Sequence, residues 1–99
     1  MEKYFIKKST RKNKKYDLFD KDVKYMLSFG AEGYSDFTIH KDDKRKERYI
    51  LRHSKEDHTE NNILSPAFMS RWVLWNKPSL QASINDVNKR FKIHLKLTE

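Results

Sequence analysis

Tyr16-Asp17-Leu18-Phe19-Asp20-Lys21-Asp22-Val23-Lys24-Tyr25-Met26-Leu27-Ser28-Phe29-Gly30 is the stretch that decides the fold class. Tyr16 and Leu18 point one way. Val23, Tyr25, Leu27 and Phe29 then repeat at period two, the pattern of a half-buried strand. Asp20-Lys21-Asp22 between the two runs predicts a hairpin connection, so residues 16–29 read as a β-hairpin. The second strand ends at Gly30, and Ala31-Glu32-Gly33 reads as a turn. Both glycines of the chain fall here, where positive φ costs least. Residues 34–39 continue as a third strand or extended segment anchored by Tyr34 and Phe37.

Downstream of the hairpin the period changes. Lys41 to His53 predicts a helix, with Asp42 and Asp43 in the first turn and Arg52 and His53 in the last, as the helix dipole favours. Its first two turns are wholly charged, so one end docks and the other projects. Residues 54–62 are a polar loop. Ser65 is an N-cap and Pro66 takes the first helical position of a helix over 66–76. Leu64 and Met69 are placed to form a hydrophobic staple around that cap. Phe68, Met69, Trp72, Val73, Leu74 and Trp75 cover most of this helix, which makes it central, and Pro78 stops it. Ser79 caps a third helix over 80–91, where Leu80, Ile84, Val87 and Phe91 form an amphipathic stripe. Phe91, Ile93, Leu95 and Leu97 alternate again and predict a closing strand over 91–97 that pairs with the hairpin. The expected class is α+β: a small antiparallel sheet packed by about three helices.

Upstream of the hairpin lies most of the net charge. The chain has 99 residues and a formal net charge of +8. Lys3, Lys7, Lys8, Arg11, Lys12, Lys14 and Lys15 stand against Glu2 alone in the first 15 residues, a net of +6. The other 84 residues carry 15 basic and 13 acidic groups, a net of +2. Lys3-Tyr4-Phe5-Ile6 can form a short strand, but residues 7–15 contain no apolar side chain. The expected organisation is therefore a basic N-terminal arm over 1–15 and one small globular domain over 16–99. On that division, removing residues 1–15 leaves the domain folded. Two Trp, five Tyr and six Phe supply its core despite a hydrophobic share of only 36%.

Several chemistries find no support. The absence of cysteine excludes disulfides, thiolate metal sites and Cys nucleophiles. No apolar run approaches the ~18 residues of a membrane span, and no apolar signal core opens the chain, so synthesis in the cytosol is expected. His40, Asp42 and Asp43 form a His-x-Asp-Asp run, but nothing supplies the converging ligands that zinc requires. Asp36, Asp42, Asp43, Glu47 and Lys44 are the residue types of a magnesium nuclease, yet they lie among Lys and Arg, where ion pairing accounts for them. There is no Gly-rich phosphate loop and no nucleophile elbow. The expectation is no enzyme activity, no cofactor, no metal and no small-molecule substrate.

What remains is binding of a negative partner. The candidate contact residues are Lys7, Lys8, Arg11, Lys12, Lys14 and Lys15 of the arm, with Arg45, Arg48 and Arg52, which share one side of the helix at i, i+3 and i+7. Both an acidic neighbouring protein and nucleic-acid phosphate suit them, and the plainer alternatives are a solvated tail that aids solubility and a solvated helix face partly cancelled by Asp42, Asp43 and Glu47. Residues 7–15 lack the interleaved aromatics or glycines common in nucleic-acid arms, which favours the protein. Trp72 and Trp75 are of the type found in binding hot spots, but their neighbours place them in the core.

The stretch Ser28–His53, with Gly33-Tyr34-Ser35-Asp36 and Arg52-His53, resembles a family of short basic proteins encoded by large nucleocytoplasmic DNA viruses. Ser70-Arg71-Trp72-Val73-Leu74-Trp75-Asn76-Lys77-Pro78-Ser79 and Ser83-Ile84 resemble it too, so the likeness covers about 40 of the 99 residues. Met69 departs from the pattern, which would have Trp at that place. The resemblance implies viral origin and carries no catalytic residues over. It implies a structural, non-enzymatic virion protein, a minor capsid component made in the host cytoplasm and docked on other capsid proteins. The alternative is a nucleic-acid-binding protein for genome packaging.

Overall fold

The computed structural model describes residues 2–98. The fold is α+β: one four-stranded sheet with helices gathered on one face. Strand β1 is Lys3–Lys8, β2 is Lys14–Phe19, β3 is Tyr25–Ala31 and β4 is His94–Thr98. Their order in the sheet is β3-β2-β1-β4. Helix α1 is Phe37–His40, α2 is Asp43–Arg52, α3 is Pro66–Met69 and α4 is Leu80–Phe91. A 3-10 turn covers Glu60–Asn62, and a π-helical turn, Ser70–Leu74, continues α3.

The segment expected to be a basic arm is part of this sheet. Tyr4 and Ile6 of β1 are buried, with Ile6 fully so, while the alternating Lys3, Lys7 and the exposed Lys8 keep their ammonium groups in water. Ile6 lies opposite Leu18 of β2 on one side and Leu97 of β4 on the other. Residues 9–13 are the loop of the β1–β2 hairpin, tied at its far end by the Glu32 N–H donating to the Asn13 carbonyl at 3.0 Å. The body of the protein therefore begins at β1, not at residue 16.

Three other expectations change. The closing strand pairs with β1, not with the hairpin, and it runs parallel to it, so the sheet is mixed. Parallel pairing is available because α1 to α4 lie between β3 and β4 and carry the chain across the sheet. The period-two run from Val23 to Phe29 is interrupted. Leu18 faces Leu27 but Phe19 faces Tyr25, so Met26 is an extra residue in β3 and forms a bulge. The bulge turns Tyr25 to the outer face, where its hydroxyl lies 2.8 Å from Ser28 Oγ. Val23 falls in the turn, exposed, at φ +61°. Residues 37–40, expected as extended, form α1 because Asp36 caps them: its carboxylate accepts from the Thr38 N–H at 2.9 Å.

The core joins the sheet to α3, the π turn and α4. Tyr4, Ile6, Leu18, Phe29 and Leu95 from the strands meet Phe68, Val73, Leu74, Ile84 and Val87. The predicted caps hold. Ser65 Oγ accepts from the Phe68 N–H at 3.1 Å, and Ser79 Oγ accepts from the Ala82 N–H at 3.1 Å. Of the two residues expected to form the staple, Met69 is buried and Leu64 is exposed. Asn88 fastens α4 to β4 in both directions, donating to the Leu95 carbonyl at 3.0 Å and accepting from its N–H at 2.7 Å. No described helix is long and apolar enough to cross a membrane.

Candidate anion-binding cleft

Helix α2 starts because Asp42 caps it, accepting from the Lys44 and Arg45 N–H groups at 3.0 and 3.3 Å. Those bonds hold the Asp42 carboxyl below its ordinary range. Tyr49 is the only buried residue of the helix. Its ring stacks on Trp75 at 4.4 Å and 3°, and on His53 at 4.3 Å. Burial pushes the Tyr49 hydroxyl up to about 12, so the phenol stays neutral at any ordinary pH. Lys46 adds a second anchor, donating to the Asn76 carbonyl at 2.6 Å. Anchored on these two side chains, the helix turns Arg45, Arg48 and Arg52 towards the sheet. Asp43 and Glu47 fall on other sides and remain exposed.

The opposite wall is the end of the β2–β3 pair. Lys14 faces Ala31, and Lys15 reaches Asp36 at 2.5 Å. That pair is nearly buried, with side chains 13% and 3% exposed. Gly30 makes the close approach possible. It has φ +78°, and a Cβ there would lie 2.8 Å from Leu74 Cδ1 and 3.1 Å from Lys15 Cβ. Gly33, at φ +90°, then turns the chain so that Tyr34 borders the opening.

Between these walls lies a cleft of about 530 Å³. Lys14, Lys15, Arg45, Arg48 and Arg52 all line it. Asp36 neutralises Lys15. Among the described residues, Lys14, Arg45, Arg48 and Arg52 form no ion pair. The rest of the lining includes the hydroxyls of Ser35 and Ser70 and the rings of Tyr34, Tyr49 and Trp75. A concave surface with four uncompensated cations, hydroxyl-bearing side chains and one open aromatic ring, Tyr34, suits an anion that also carries a flat apolar part.

Of the nine contact residues expected from sequence, five converge here. The other four do not. Lys7 lies opposite Asp17 on β1, and Lys8 opposite Tyr16. The Arg11 guanidinium sits over the Tyr25 ring at 3.7 Å, on the outer face of the sheet. Lys12 is exposed in the hairpin loop. Tyr34 and Trp75 line the cleft and were not among the contact residues expected from sequence. Tyr34, expected to anchor an extended segment, is exposed instead, while Phe37 is buried; its place directly after Gly33 was the available signal.

The other acidic candidates have structural partners. Asp36 caps α1 and holds Lys15, and Asp42 caps α2. His40 Nδ1 accepts from the Asp42 N–H at 2.9 Å. Its buried Nε2 has no hydrogen-bond partner, and its ring packs against Trp75 at 5.3 Å. Burial, with Arg45 nearby, lowers its proton affinity.

The run Trp75-Asn76-Lys77-Pro78-Ser79 joins the cleft to the core. Trp75 stacks on Tyr49, Asn76 donates to Asp86 at 2.8 Å, and the Lys77 N–H donates to Ser83 Oγ at 2.9 Å. Residues 5–53 match the model of a family of unknown function (DUF5754). The matched span holds every cation of the cleft and Tyr34, while Trp75 and Ser70 lie beyond it. No curated protein and no solved structure matches the chain.

Proposed function

We propose that the protein is a non-enzymatic component of a viral particle that works by docking its cationic cleft on a polyanion. The observation that carries this reading is the convergence of two cationic groups, 14–15 and 45–52, on one cleft where, among the described residues, the only lining carboxylate is Asp36, already paired with Lys15. Viral origin rests on the sequence resemblance. The favoured polyanion is nucleic acid. The linear segment 7–15 lacks aromatics, but the fold supplies one in space, since Tyr34 lines the same cleft as Lys14.

Docking on neighbouring capsid proteins is the second reading. It is supported by Ile39, Leu51 and Leu64, large apolar side chains that are exposed outside the cleft and that a protein neighbour would cover.

Binding of random-sequence oligonucleotides at two salt concentrations tests the first reading. Neutralising about four phosphates predicts a loss on the order of 100-fold between ~50 and ~200 mM salt. The triple variant Arg45→Glu, Arg48→Glu, Arg52→Glu should abolish binding. No binding by the wild-type protein even at ~50 mM eliminates the nucleic-acid reading. Retention of the protein in a particle shell stripped of nucleic acid favours the capsid one.

A further inference from the structure

We infer that the cleft takes a single-stranded nucleic acid, with one base stacked on Tyr34 and the neighbouring backbone phosphates held by Lys14 and the α2 arginines. The inference rests on the nucleic-acid reading above and narrows it. Tyr34 is 74% exposed, the joint highest of the large hydrophobic residues. It sits at the mouth of the cleft, and among the described residues no aromatic ring or guanidinium stacks on it. An aromatic left open to water beside four unpaired cations matches how proteins hold single strands: stacking on the base and charge on the backbone.

Three features argue for a single strand over a duplex. The base stack of a duplex is closed, so it offers Tyr34 no ring face and would leave it exposed. The cations line both walls of a cleft and do not form a ridge that would follow a groove. A volume of about 530 Å³ falls within the range of sites that enclose a small ligand, and is far below what a double helix would fill. Arg45, Arg48 and Arg52 rise along α2 at one turn per step, which spreads the positive charge along a backbone. A free nucleotide has the same phosphate-and-base chemistry, so the two sources must be separated by experiment.

The test uses the full chain and three labelled probes read by fluorescence anisotropy at ~50 mM salt. The probes are a ten-nucleotide oligothymidylate, a random duplex of the same length, and a single thymidine monophosphate. The oligothymidylate should bind tightest. Tyr34→Ala should weaken it by about 10-fold while leaving the duplex affinity unchanged, since one stacked base contributes on this scale. Tyr34→Trp should restore it. Because Tyr34 is exposed, Tyr34→Ala should melt as the wild type does, which separates loss of stacking from loss of fold. If Tyr34→Ala leaves strand affinity intact while the triple α2 variant abolishes it, the stacking inference fails and the polyanion reading stands. Equal affinity for strand and duplex also overturns the inference. Equal affinity for the monophosphate and the strand overturns the assignment to a polymer. If none of the probes binds, both readings fall.

Discussion

Residues 3–15 and helix α2 are the two most cationic stretches of the chain, with seven and five basic side chains. Their charge suggests the same treatment for both, and the structure treats them oppositely. The first contains a strand at the interior of the sheet, paired on both edges. The second is a surface helix held by Tyr49 and the stem of Lys46. Charge density therefore does not report how firmly a segment is held. What decides is whether its few apolar side chains fall at the period of the element it forms. Tyr4 and Ile6 are two residues apart, and that is enough for a strand. A helix with one buried ring has less to lose by detaching.

Removing β1 gives the largest contrast. A chain starting at residue 16 loses two ladders of the sheet, so it should show no cooperative thermal transition. Ile6→Ala should cost about 2–5 kcal/mol, read as a lower midpoint in urea. A stable truncated domain would restore the division into arm and body. On the α2 side, Tyr49→Ala should cost about 3 kcal/mol, and the cost should be local. Hydrogen exchange should show α2 amides losing protection while β1 and β2 keep theirs, and oligonucleotide binding should fall with them. Gly30→Ala tests the joint between the two regions. The positive φ and the contact with Leu74 predict a loss of about 1–3 kcal/mol in thermal unfolding.

Smaller effects come from the turns. Val23 is β-branched in the left-handed region, which Asn tolerates better, so Val23→Asn should stabilise by about 0.5–1 kcal/mol. The smallest effect is that of pH at His40. Burial lowers its folded value below 6.5, so the unfolded chain binds the proton more readily. Its contribution is complete above that unfolded value and is lost progressively as pH falls from there through the lower folded value. Protonating Nδ1 also removes the acceptor for the Asp42 N–H at the start of α2. Denaturant midpoints measured from pH 7 to 5 should decline, and His40→Phe should flatten the decline.

Local signals were legible. Ser65-Pro66 and Ser79 mark the starts of α3 and α4 because capping is decided by neighbouring backbone groups. Helix α4 spans the predicted residues 80–91, since its apolar stripe is regular and its cap is strong. The conversion of 70–74 to a π turn left no trace in the apolar pattern. Nor did the bulge at Met26, because inserting one residue into a strand leaves the sequence looking continuous. The cationic residues of the cleft were named from sequence, but their division was not. Lys14 and Lys15 join the α2 arginines, while Lys7, Lys8, Arg11 and Lys12 go elsewhere.

By itself the amino-acid sequence determined the α+β class, the helix caps and the residue types that meet an anion. Those follow from neighbours along the chain and from periodicity. Long-range packing settled that β4 runs parallel beside β1, that the lysine-rich leader is interior, and that residues 14–15 and 45–52 line one cleft with Tyr34. Such pairings bring together groups from about 20 to about 90 positions apart, and no local preference encodes them. They arise because Ile6, Leu18 and Leu97 leave water together, and the charged side chains go where that packing carries them.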